Sequence, residues 1–136
     1  MSPATRDAAA ILLIAVPTVE FGGLSLLRMI AARDPAYLDN QVRRHLFRAG
    51  HAHAGVWIIL ALVGLLYADQ ADLSRPWQTV VRWGLVAAPI LAPLGFFLSA
   101  TSPTVERPNR MIILVYLAGA CLAIAAVTLG IGLLRA

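Results

Sequence analysis

Glu20, His51 and His53 are ionisable side chains set in apolar surroundings. Glu20 lies near the centre of the run Ala8–Ala32, which is long enough to cross a membrane as a helix. His51 and His53 open a second such run, in Arg48-Ala49-Gly50-His51-Ala52-His53-Ala54-Gly55. Ionisable groups at lipid depth are expensive, face protein or water, and mark ion, proton or ligand sites. Neutral imidazole ligates haem iron, copper and zinc, and a carboxylate ligates or orients the same centres. The two histidines are two residues apart, about 200° around a helix, so they face opposite sides and do not chelate one ion together. His53 shares a stripe with Gly50, Trp57 and Gly64, which leave room for a flat ligand. On that ground His53 is expected to be the more important of the pair.

These residues need elements to hold them. The chain has 136 residues, 60% hydrophobic and 13% charged, far below the charged share of ordinary soluble domains. Four apolar spans are separated by short linkers with Asp34-Pro35, Ser74-Arg75-Pro76 and Ser102-Pro103 as stop signals. The expected fold is all-α: a polytopic membrane protein forming a four-transmembrane-helix antiparallel bundle. It is one domain, residues 1–136, with helices over about 8–32, 36–68 (including an interfacial lead-in), 77–100 and 109–134. Pro17, Gly22 and Gly23 predict an interruption of the first helix near Glu20. Pro89 and Pro93, on one face of the third span, predict a kink that opens room inside the bundle. By axial rise, His51, His53, Tyr116 and Ser99 fall in one leaflet with Glu20 above them. That places a polar belt around a central cavity to which all four helices contribute.

All eleven basic residues are arginine. Arg28, Arg33, Arg43, Arg44, Arg48, Arg107 and Arg110 lie on or beside linkers 1–2 and 3–4, against Arg6, Arg75, Arg82 and Arg135 on the other side. The positive-inside rule then puts those two linkers in the cytoplasm and both termini outside, in a bacterial cytoplasmic membrane. Scattered arginines between apolar spans read as topology signals, so no nucleic-acid partner is expected. The bilayer is the first partner. The opposed histidines and the small residues Gly119, Ala123, Ala126 and Gly130 point to a homo-oligomer or a partner membrane subunit. The single Cys121 excludes an intrachain disulfide.

The segment Phe47-Arg48-Ala49-Gly50-His51-Ala52-His53-Ala54-Gly55 resembles histidine-bearing helices of haem-copper oxidase subunit I-like proteins, in which a His-x-His serves haems on two faces. The resemblance implies haem or a transition metal at His51 and His53; within one chain, one histidine would have Tyr116, Glu20 or water opposite. All three histidines of this chain lie on one linker and helix, so a second axial ligand has to come from another residue type or another chain. The first functional expectation is a small membrane protein holding metal or haem at His51, His53 and Glu20, in a redox or accessory role. A proton-coupled transporter or channel using Glu20, His51 and His53, without a cofactor, is the alternative. A non-catalytic subunit of a larger complex is the third. No nucleophile motif, P-loop or Rossmann glycine pattern marks a conventional enzyme.

Overall fold

A computed structural model describes residues 1–136. It contains helix and no strand: α1 (Pro3–Ala31), α2 (Pro35–Leu38), α3 (Gln41–Ala68), α4 (Arg75–Leu98), a 3₁₀ turn (Arg110–Ile112) and α5 (Ile113–Arg135). Four helices are long and apolar enough to cross a membrane, and they pack against each other as the sequence predicts.

Local signals explain the boundaries. α1 begins at Pro3 instead of near Ala8, because the Ser2 hydroxyl accepts from the Thr5 amide and Pro3 sits at the first helical position. It ends in a Schellman arrangement: Asp34 N–H donates to Met29 O at 3.0 Å and Arg33 N–H to Ile30 O at 3.1 Å. Arg33 there has φ 50°, the left-handed region that glycine favours. The expected continuous helix over 36–68 is divided. Asp34 caps α2, and Asn40 starts α3 afresh by accepting from the Arg43 amide at 3.0 Å. The expected break in α1 does not occur either. The helix runs unbroken through Pro17, Gly22 and Gly23, since proline removes only one hydrogen bond from a long ladder.

α4 is the hub. Its residues Val81, Leu85, Val86, Ala88 and Ala92 are buried between α3 and α5. Close approach is purchased with glycine: a Cβ on Gly95 would stand 2.8 Å from Val115 N, and one on Gly84 would stand 3.0 Å from Cys121 O. α1 packs on α3 and α4 and has no contact with α5. Its buried stripe, Thr5, Ala8 and Leu12, joins a core with Ala61, Leu65, Ala68, Val81 and Leu85.

The two ends of the bundle are built differently. At one end the N-terminus, the α3–α4 linker and the C-terminus converge. Asp69 accepts from the Thr5 hydroxyl at 2.6 Å, the Ser2 hydroxyl at 2.9 Å and Arg82 at 3.0 Å, and Asp72 N–H donates to Gly132 O at 3.0 Å. Partial burial opposes the Asp69 charge. The hydrogen bonds from Thr5, the Ser2 amide and hydroxyl, and Arg82 outweigh it, and hold the carboxyl well below the usual carboxylate range. At the other end the two arginine-rich linkers meet, where Asn40 donates to Pro103 O and Val105 O, each at 2.9 Å.

Candidate functional site

Beyond Leu12, α1 packs less closely on its neighbours. A cavity of about 390 Å³ lies between α1, α3 and α4. Its lining is almost all carbon, from Val19, Ala54, Ile58, Pro89, Pro93 and Phe97 among others; His51 and Thr18 are the polar exceptions. Both α4 prolines, Pro89 and Pro93, are in the lining. Thr18, Ile90 and Leu94 in its lining are exposed, so it opens sideways between α1 and α4. The Thr18 hydroxyl is already donating to Ala15 O at 2.6 Å.

His51 is the chemical group of this cavity. Its ring lies against the Gly22–Gly23 pair of α1. A Cβ on Gly23 would stand 2.9 Å from His51 Cε1 and 3.1 Å from Nε2. The glycines therefore serve to admit the imidazole beside the α1 backbone, not to break the helix. His51 Nδ1 is buried and has no hydrogen-bond partner. A buried polar atom left unpaired costs about 1–3 kcal/mol, and the residue that carries it, His51, is among those lining the cavity.

His53 differs in every respect. Its Nδ1 lies 2.8 Å from Ala49 O and donates to it, since a carbonyl only accepts. Its ring packs at 5.1 Å from Trp57 and 5.0 Å from Phe96. Trp57 is thus engaged with the imidazole and walls no slot for a flat ligand. Gly50 on the same stripe is filled from the other side, where a Cβ would meet Phe96 at 2.9 Å. His51 faces α1 and lines the cavity, and His53 packs among aromatics at the α3–α4 side.

Glu20 is exposed and bonded to nothing in the chain. Val19 lines the cavity, and the next residue is turned about 100° away, onto the outer face of α1. Tyr116 is 70% exposed on the outer face of α5, whose packed positions are Ala118, Ala125, Leu129 and Gly132. Ser99 is buried but donates to Phe96 O at 2.9 Å. The belt expected from axial rise therefore does not close. Depth was read along the helices, but rotation about them separates the groups. No three His, Cys, Asp or Glu side chains gather where a metal ion would need them. Within one chain the cavity offers a haem iron the His51 imidazole and no second strong donor. The donor set His51, His53, Glu20 and Tyr116 does not fit a shared metal or a six-coordinate haem in a single copy.

A second cavity, about 530 Å³, adjoins His51 from the arginine-rich end, lined by Leu26, Ile30, Tyr37, Leu38, Arg44 and Arg48. Sequence reasoning missed it. Its signal was present in Arg44 and Arg48, one helical turn apart on the side of α3 that carries His51. No known family model, curated protein or solved structure matches the chain.

Proposed function

We propose that this chain is a small integral membrane protein that binds a lipid-soluble ligand in the α1–α3–α4 cavity. The ligand is apolar over most of its surface and carries one oxygen for His51 Nδ1. The observation that carries this reading is His51, whose buried Nδ1 has no hydrogen-bond partner, in the lining of a cavity otherwise almost all carbon. A volume of 390 Å³ is within the range of small-molecule sites, about 300–1,000 Å³. Apolar cavities of even about 150 Å³ stay dry and take up small apolar molecules. The sideways opening supports delivery from the bilayer.

A hydrogen bond from Nδ1–H to a carbonyl oxygen, or from a ligand hydroxyl to an unprotonated Nδ1, restores the missing pairing. Either also gives the ligand oxygen a titratable neighbour, so a proton can pass between them. This keeps the redox or accessory role and moves it from a resident metal to a bound organic molecule. The arginine asymmetry supports an orientation with the Arg33–Arg48 and Arg107–Arg110 linkers on the cytoplasmic side. Association with a second copy or another membrane subunit is supported by the outward Glu20, and by Gly119 and Gly130, where an added Cβ would meet nothing within 4 Å.

The test is titration of the detergent-solubilised protein with tetramethyl-p-benzoquinone and with its hydroquinone, followed by tryptophan quenching. At least one form is expected to bind. The His51→Leu variant is expected to bind it roughly fivefold more weakly, the worth of one hydrogen bond. Filling the cavity with Ala54→Phe is expected to abolish binding. Absence of binding, or equal binding by all three proteins, sinks the proposal. A Soret band in the purified protein that survives both substitutions sinks it also.

A further inference from the structure

The three ion pairs of the molecule involve Met1, Arg6, Asp7, Asp69 and Arg82, all at the end that holds the termini. None of the seven arginines at or beside the opposite linkers has a carboxylate partner. Two of them, Arg44 and Arg48, line the cavity of about 530 Å³ between the end of α1, α2 and the start of α3. Arg44 is half-buried and spends one N–H on Leu38 O at 2.7 Å, which leaves the rest of its guanidinium free. Arg48 is exposed and makes no hydrogen bond within the chain. Tyr37 is only 1% exposed, lines the same cavity and has no protein partner for its hydroxyl. Leu26 and Ile30 supply an apolar wall on the α1 side. Guanidinium groups free of carboxylates, a lone hydroxyl and an adjoining apolar wall form a receptor for a phosphate-bearing anion. Basic pockets between membrane helices at the cytoplasmic side hold anionic headgroups in this way.

We infer that this cavity binds a phosphate group through Arg44, Arg48 and Tyr37, with any attached apolar chain running along Leu26 and Ile30. His51 borders this cavity as well as the first one. The inference does not depend on the ligand proposed above, because its residues on α2 and its two arginines do not line that cavity.

The experiment is native mass spectrometry of the full chain in detergent with three probes: phosphatidylglycerol, phosphatidylcholine and inorganic phosphate. The parent is expected to retain phosphatidylglycerol over phosphatidylcholine. The Arg44→Gln/Arg48→Gln double variant is expected to lose roughly thirtyfold of that preference, and Arg48→Gln alone about fivefold. Arg48→Gln breaks no bond within the chain, so its melting temperature should match the parent's and its result stands if the double variant fails to fold. Arg107→Gln/Arg110→Gln removes equal charge at the same end and should keep the preference. Retention of inorganic phosphate with no lipid preference, lost in Arg48→Gln, supports the same site with a free anion as its ligand. Three results overturn the inference: binding of neither anion, an equal loss in the Arg107→Gln/Arg110→Gln control, or an unchanged preference in Arg48→Gln.

Discussion

The two halves of α1 are packed on different terms. From Ser2 to Leu12 the helix is locked: Thr5 and Leu12 are fully buried, and Asp69 and Arg82 tie its first turn to α3 and α4. From Ala15 to Ile30 it borders three cavities, of about 390, 530 and 280 Å³. The same helix is thus densely packed at one end and a wall of open space at the other. The voids that border α1, and the unpaired imidazole nitrogen of His51, lie at the opposite half.

Glycine substitutions break this contrast most strongly. In the dense α4–α5 contact, Gly95→Ala puts a methyl 2.7 Å from Val115 Cγ2 and 2.8 Å from its backbone nitrogen. It should cost about 2–3 kcal/mol, as overpacked cores do. Beside the cavities, Gly55→Ala meets nothing closer than Val19 Cγ1 at 3.9 Å, and should be neutral or stabilise by up to about 1 kcal/mol through helix propensity. Denaturant unfolding in detergent reads both; equal costs would erase the distinction.

Asp69→Asn removes the charge that Ser2, Thr5 and Arg82 bond, and should cost about 2 kcal/mol. Hydrogen exchange should then rise over residues 3–12 and stay unchanged over residues 18–30. A uniform rise along α1 would mean the two halves are not separate units. The pH dependence follows in sign. The folded state holds the Asp69 carboxyl below its ordinary range, so its contribution is complete above that range. It is lost as pH falls below about 4 toward the lower folded value, and Asp69→Asn should flatten that acid limb. Smallest of all, Arg33→Gly relieves a left-handed arginine and should stabilise by about 1 kcal/mol in thermal unfolding.

The elements were legible in the sequence because their signals are local. Span length, Asp34-Pro35, Ser74-Arg75-Pro76 and Ser102-Pro103 suffice to place four helices and their linkers, while sequence reasoning missed the Ser2-Pro3 start of α1. Asn40 as a second cap was legible too, but weaker than the apolar pattern running across it. The site was half legible. That His51, Pro89 and Pro93 are singular residues within apolar spans follows from residue type. Which imidazole turns inward does not, because helix rotation is decided by partners: the ring of His51 is seated by Gly22 and Gly23, distant in sequence. Glu20 drew attention by its cost in lipid, yet Val19, one residue earlier, is the one that faces the cavity.

In the proposed complex, His51 Nδ1 pairs with a ligand oxygen. Nitrogen-15 NMR of histidine-labelled protein, titrated with the tetramethylbenzoquinone couple, reads that nitrogen directly. The His51 Nδ1 resonance should move with saturation while His53 Nδ1, held by Ala49 O, stays fixed. Binding that moves His53 and leaves His51 unchanged would contradict the account.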